Sequence, residues 1–369
     1  MRDEVVEAMS RALRDAHGNP SSVHAEGGAA RAEVEGARRR VASLLGVDPD
    51  EVIFTSGATE SNNTTLCATA PALGRGRHVV SSNVEHPSVE APLEALESLG
   101  WRVTRLPVDA DGLLSPDQVI EALQPDTALV SLLWANNETG VVQPMAEIAE
   151  RVRARGVPIH VDATQAVGKI PVDLRDVPVD WLALSAHKLG GPKGVGCLIA
   201  RRGAALVPLL LGGGQEGRRR GGTENVAAIV GLGVACGLAE AELPERTAGL
   251  ATLRDRLWRG IEAKVPRARR NGPADRVLPN TLSVEFEGTA GEVLLQALDL
   301  EGVAVSSGAA CASGSIEPSR VLLAMGRSPE QARGVLRLSV GHGVDREQID
   351  HVLSLLPDLV ARVREAGLP

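Results

Sequence analysis

The chain has 369 residues, of which 43% are hydrophobic and 23% charged, with a formal net charge of −8. That length exceeds one simple core and predicts two domains of a folded globular protein. The acidic balance argues against a nucleic-acid surface, and no run of about 18 or more apolar residues suggests a membrane span. Met1-Arg2-Asp3-Glu4 lacks an apolar signal core, so a cytoplasmic protein is expected. Cys67, Cys197, Cys236 and Cys311 lie far apart without C-x-x-C spacing, so no disulfide framework is indicated and no residue is assigned to a metal.

Residues 4–14 and 25–45 carry helical spacing, and the second helix ends at Gly46. The strand 52–54 runs into Thr55-Ser56-Gly57-Ala58-Thr59-Glu60-Ser61-Asn62-Asn63, a strand, small-residue turn and helix. Such a helix start offers N–H groups and a positive dipole end to an anion, with Thr59 adding a hydroxyl; it equally fits an ordinary capped helix. No Walker lysine is present, so a nucleotide is not favoured. The next strand, 78–80, leads to Glu85-His86-Pro87, where the proline holds His86 extended and its ring outside a helix. A helix over 92–99, a strand over 102–106 and a helix over 117–123 follow. The apolar strand 128–134 ends in Asn136-Asn137-Glu138, a helix covers 145–155, and the strand 158–161 ends at Asp162, with Gln165 one turn on.

The apolar run Trp181-Leu182-Ala183-Leu184 leads into Ser185-Ala186-His187-Lys188-Leu189-Gly190-Gly191. Lys188 is one of only four lysines, with Lys169, Lys193 and Lys264. Arginine carries nearly all the other positive charge and cannot form a Schiff base, whereas a lysine with a lowered pKa can. Lys193 reads as a turn or surface charge.

Strand after strand thus ends in polar residues: Thr59, His86, Asn137, Asp162, Lys188. Alternating strands and helices imply a mostly parallel, doubly wound α/β sheet, whose strand ends converge on one crevice. A helix start for a phosphate, an acid for a ring nitrogen and a lone lysine together fit pyridoxal phosphate, with Asp162 the best candidate acid.

Residues 194–200 form a strand of a different kind. The glycine-rich loop 211–225 follows, and its Arg218-Arg219-Arg220 could face a phosphate, a carboxylate or a partner subunit. Helices over 227–240 and 242–265, strands over 279–286 and 302–305 around a helix at 291–298, a strand at 335–340 and a closing helix at 346–363 complete the chain. The domain reading is 1–240 for a large domain and 241–369 for a smaller α+β domain, with residues 1–15 able to pack with the latter. Ser306-Ser307-Gly308-Ala309-Ala310-Cys311 is a small-residue loop around one cysteine, which reads as an accessible nucleophile or as a tolerated surface thiol. Arg337 alternates with leucines and could clamp a carboxylate.

These motifs, with Gly18-Asn19-Pro20-Ser21-Ser22, His160-Val161-Asp162-Ala163-Thr164-Gln165, Arg220-Gly221-Gly222-Thr223 and Glu317-Pro318-Ser319, occur in an order that resembles the cysteine desulfurases of aminotransferase class V over nearly the whole chain. The resemblance implies a pyridoxal-phosphate transferase of fold type I and an L-cysteine desulfurase that yields L-alanine. It implies that Lys188 holds pyridoxal 5′-phosphate covalently, that Ala58, Thr59, Ser185 and His187 bind its phosphate, and that Thr223 reaches in from the other subunit of a homodimer. Asp162 would pair with the pyridine nitrogen, Gln165 would contact the ring oxygen, and His86 would stack on the ring and move protons. Asn137 and Arg337 would bind the substrate carboxylate. Cys311 would take the sulfur as a persulfide on a long mobile loop of the housekeeping and nitrogen-fixation type. The acceptor would be an iron–sulfur scaffold or a tRNA-thiolation carrier, with no direct nucleic-acid or membrane contact. Family members usually open with a segment reading roughly Tyr-Leu-Asp-Asn-Ala-Ala-Thr-Thr-Pro, and this chain starts after its place. Selenocysteine lyase, and a truncated non-catalytic sulfur carrier or scaffold, are the two other readings.

Overall fold

The computed structural model describes residues 1–307 and 317–367 and divides them into two compact units. Unit 1 comprises 1–106, 115–134 and 144–243; unit 2 comprises 107–114, 135–143 and the chain from Pro244 onward.

Unit 1 is built on a seven-stranded sheet. Its strands are β1 (Val52–Thr55), β2 (His78–Ser82), β3 (Arg102–Leu106), β4 (Thr127–Leu133), β5 (Ile159–Asp162), β6 (Trp181–Ser185) and β7 (Gly196–Ala200), in the order β1-β7-β6-β5-β4-β2-β3. The five strands from β6 to β3 are parallel, while β7 runs antiparallel to both its neighbours. The inner strands are buried along their whole length, as helices on both faces of a parallel sheet require; β3, at the edge, is half exposed. Ile53, Leu66, Val79, Leu93, Leu129 and Trp181 form one of its apolar clusters.

At the other edge, Glu216 reaches back from the glycine-rich loop. Its carboxylate accepts from the Phe54 backbone N–H at 2.9 Å and from both terminal nitrogens of Arg38 at 2.8 and 2.9 Å. The Arg38 guanidinium lies 4.7 Å from the Phe54 ring centroid.

The N-terminal helix Asp3–Asp15 belongs to unit 1, where Ala8 and Ala12 pack with Ala227 and Val230. Within unit 1, a small-residue face thus meets an equally small-residue helix. One helix, Val226–Lys264, replaces the two expected over 227–240 and 242–265, and the unit boundary falls within it. It is long and apolar enough to cross a membrane by length and composition. Ile229, Leu232, Ala235, Cys236 and Ala239 are buried, as in a core helix.

Unit 2 holds an antiparallel sheet of β8 (Ala268–Arg270), β9 (Thr281–Phe286), β10 (Ser306–Ser307) and β11 (Val335–Ser339), in the order β10-β11-β9-β8. Val284, Phe286, Leu336 and Leu338 pack with Leu294 and Leu298 of helix Gly291–Leu300 and with Leu356 and Val360 of helix Arg346–Glu365. Residues 302–305 are not a strand; the pairing begins at Ser306, opposite Arg337.

Candidate active site

Parallel register places the carboxyl ends of neighbouring strands side by side: Leu133 of β4 opposite Asp162 of β5, and Asp162 opposite Ala183 of β6. Asp162 is buried. Its Oδ2 accepts from Asn62 Nδ2 at 2.9 Å, and its Oδ1 from the Thr164 N–H at 3.0 Å. One residue beyond β6 the chain makes a single 3-10 turn, Ala186–Lys188, which leaves Lys188 exposed. The turn is fixed by the Leu189 and Gly191 N–H groups donating to Ala186 O at 3.0 and 2.9 Å. The Arg2 N–H donates to Gly190 O at 3.1 Å, so the N-terminal helix braces the segment behind Lys188. Lys193 is exposed.

Ser185 also meets the helix that starts after β1. Its Oγ accepts from the Ala58 N–H at 2.8 Å, at the first turn of helix Ala58–Asn63, where Thr59 is exposed. This contact needs Gly196. A Cβ there would come within 2.3 Å of Leu184 O and 2.7 Å of Gly57 Cα, so only glycine lets β7 lie against the turn. Glu60 closes the same turn by accepting from the Ser56 N–H at 2.8 Å and pairs with Arg220 at 2.9 Å. The glycine-rich loop is thus tied to the helix start, with Thr223 exposed beyond it.

His86 caps helix Pro87–Ser98. Its backbone is extended (φ −67°, ψ 148°), as the following proline demands, and its Nδ1 accepts from the Ser88 N–H at 3.1 Å. Burial lowers its pKa; nearby Asp162 opposes that shift and Lys188 adds to it. Burial likewise lowers His187, helped by the charges of Lys188, Lys193 and Lys169. Glu85 is buried, and burial pushes its carboxyl up to about 8 against hydrogen bonds from the Ser82 hydroxyl (2.6 Å) and the Leu133 N–H (3.1 Å). Gln165 Oε1 accepts from the buried Lys169 Nζ at 2.5 Å. A lysine has no acceptor, so the Gln165 amide must present its NH2 elsewhere.

Unit 2 brings the expected carboxylate-binding pair together. Arg337 donates through Nη1 to Asn137 O at 2.9 Å and through Nη2 to Ser306 Oγ at 3.1 Å, while its buried Nε has no hydrogen-bond partner among the described residues. Asn136, not Asn137, shapes the turn, with Oδ1 accepting from the N–H groups of Glu138 and Thr139 at 2.8 and 2.9 Å. Glu138 pairs with the Ser319 hydroxyl, and burial pushes its carboxyl up to about 7. Cys311 lies outside the described residues. Of the other cysteines, Cys197 and Cys236 are buried and Cys67 is half-buried. Burial raises all three thiols, Cys236 to about 12, which leaves them protonated and unreactive.

Sequence reasoning missed Asn62, Ser88, Glu85 and Lys169 as members of this site. Ser88 carried a usable signal, because a serine two residues after an N-cap offers both its N–H and its hydroxyl to the capping side chain. Asn62 carried none, since Ser-Asn-Asn at a helix start reads as capping.

The aminotransferase class-V family model matches residues 1–352. The cysteine desulfurase IscS of Dictyoglomus turgidum is 43% identical over 365 residues, which is 99% of this chain and 93% of that protein. A cysteine desulfurase of Trichormus azollae is 45% identical over 361 residues, covering 98% and 90% respectively. Among solved structures, a NifS-like protein superposes with a TM-score of 0.92 at 36% identity, covering 98% of this chain and 96% of its own. SspA in complex with cysteine gives 0.82 at 37% identity, covering 92% and 95%. With a family model spanning most of the chain and relatives this similar along nearly all of it, the chain belongs to the aminotransferase class-V family, among its cysteine desulfurases.

Proposed function

We propose that the protein is an L-cysteine desulfurase using pyridoxal 5′-phosphate, converting L-cysteine to L-alanine and carrying the sulfur on Cys311 as a persulfide. The observation that carries this reading is the set of residues at strand ends of unit 1: the lysine Lys188, the buried carboxylate of Asp162 and the imidazole of His86 with its lowered basicity. The donor set fits the cofactor. Asn62 Oδ1 and Thr164 Oγ1 beside Asp162 are buried without hydrogen-bond partners among the described residues, which is unusual unless a polar group completes the site.

Bound pyridoxal phosphate supplies an electron sink for the bonds at the substrate's Cα. Asp162, held by Asn62 and Thr164, offers its carboxylate to the pyridine nitrogen and favours that nitrogen's protonated form. Lys188 supplies the amine that anchors the cofactor. Ala58, Thr59, Ser185 and His187 hold the phosphate, and Gln165, oriented by Lys169, donates to the ring oxygen. His86 is neutral near pH 7 and can take up and return a proton. In unit 2, Arg337 and Asn137 receive the substrate carboxylate. The Cys311 thiolate would attack the substrate sulfur, forming the S–S bond as the substrate's Cβ–S bond breaks, and the Cβ left with the bonding pair would take up a proton to give L-alanine.

The assembly we propose is a cytoplasmic homodimer, each protomer lending Thr223 to its partner's phosphate site. The exposed Leu209, Leu210 and Leu211 beside that loop support an interface there. The sulfur acceptor is a protein, an iron–sulfur scaffold or a tRNA-thiolation carrier.

The test is the absorbance spectrum of the purified protein with and without L-cysteine, alongside alanine and sulfide release. Lys188→Ala should abolish reductive trapping of the cofactor, and Cys311→Ser should keep the trapped cofactor and lose the persulfide. Turnover of selenocysteine alone would assign a lyase, and a colourless protein that traps no cofactor would refute the enzyme reading.

A further inference from the structure

The hydrogen bonds around His86 have a direction that the roles above leave unused. Asn62 is fully buried, and its Nδ2 donates both to Asp162 Oδ2 and to Ser88 Oγ, each at 2.9 Å. The opposite amide orientation would set oxygen against carboxylate oxygen, so Asp162 fixes which way Asn62 points. Its Oδ1 finds no partner among the described residues, so the donor contacts hold the amide in place. An amide nitrogen cannot accept, so Ser88 Oγ accepts from Asn62 and keeps its own hydrogen available for His86 Nδ1, 2.8 Å away. The Ser88 N–H aims at the same nitrogen from 3.1 Å. Two donors thus converge on one ring nitrogen.

We propose that Asn62 and Ser88 are positioning residues that relay the Asp162 carboxylate to His86, fixing its tautomer with Nδ1 as acceptor and Nε2 carrying the hydrogen. Nε2 then serves as a hydrogen-bond donor, and His86 takes up a proton only at Nδ1, where the two donors oppose it. Among the described residues, the charges that act on the ring are those of Asp162 and Lys188, and Glu85 beside it on the chain holds its proton at neutral pH. The proposal deepens the desulfurase reading and rests on it for its consequence in turnover, but the tautomer exists with or without the cofactor.

The test is 15N NMR of the histidine side chains in the full chain, freed of cofactor and again loaded. Wild type should show His86 Nδ1 as a bare acceptor and Nε2 as protonated near neutral pH. Ser88→Ala removes one donor that opposes protonation of Nδ1. It should raise the proton affinity of His86 about five- to tenfold and admit the second tautomer. Ser88→Thr, which keeps the hydroxyl, should restore the wild-type signals. Asn62→Leu should loosen the tautomer without touching Ser88. In the loaded enzyme, the His86 limb of the kcat pH profile should move with the NMR titration while KM for cysteine holds. A wild-type Nδ1–H tautomer would overturn the proposal. So would Ser88→Ala with wild-type signals, because the backbone N–H would then suffice alone. A protein that fails to turn over cysteine yet shows the tautomer and its shift would refute the desulfurase reading and leave the relay standing.

Discussion

Replacing Glu85 with glutamine should change how stability depends on pH. The Glu85 carboxyl ordinarily titrates at 4.5, and burial pushes it up to about 8 in the folded protein. Between those values the folded chain keeps a proton that the unfolded chain releases. Stability therefore falls as pH rises, by about 1.4 kcal/mol per pH unit from this group alone. Glutamine keeps the acceptor for the Ser82 hydroxyl and the Leu133 N–H and cannot titrate. The stability of Glu85→Gln relative to wild type should thus grow by roughly 3 kcal/mol from about pH 5 to about pH 7.5. Urea unfolding at constant ionic strength measures this, with both proteins followed across the range. A constant offset is uninformative, because the glutamine NH2 replaces an oxygen that has no partner among the described residues; the slope decides. Parallel curves for the two proteins would show that Glu85 is ionised when folded and would refute the reasoning.

Arg38→Met strands the buried Glu216 carboxylate and should cost about 3–5 kcal/mol, whereas adding Glu216→Gln should recover most of it in the same unfolding assay. Gly196→Ala should lower cofactor affinity at least about tenfold by equilibrium dialysis, because a Cβ within 2.7 Å of Gly57 must push the helix start away. Lys169→Met should leave Lys188 able to capture cofactor while shifting the absorbance of the bound form, because the Gln165 amide loses the donor that orients it. An unchanged spectrum would remove Lys169 from the site.

The strand ends were legible because an apolar run halted by polar residues, in a chain of alternating strands and helices, marks where a buried strand leaves the core. His86, Asp162 and Lys188 all stand at such halts. The antiparallel β7 was partly visible as a strand following too closely on β6 for a helical crossover. What stayed hidden depends on distant partners. Glu85 lies beside a recognised histidine, yet its neutrality arises from enclosure that no local pattern encodes. The helix Val226–Lys264 runs unbroken past residue 241, where the change from small to charged residues had read as the end of one helix and the start of another. Helix Pro87–Ser98 likewise starts five residues before its expected beginning, since proline is well suited to a first turn. Asn137 read as one more strand end of the large sheet, but residues 135–143 belong to unit 2, where its carbonyl serves Arg337.

The contact between Glu216 and Phe54 bears on how the protein behaves in company. β1 ends the large sheet, and the outward N–H of such a strand is a template on which another chain can add. Here the Phe54 N–H is already taken by a carboxylate, itself paired with Arg38. An incoming strand would have to expel a buried ion pair to gain one hydrogen bond. The glycine-rich loop therefore acts as a stopper on the sheet, keeping the β1 edge from pairing with another chain.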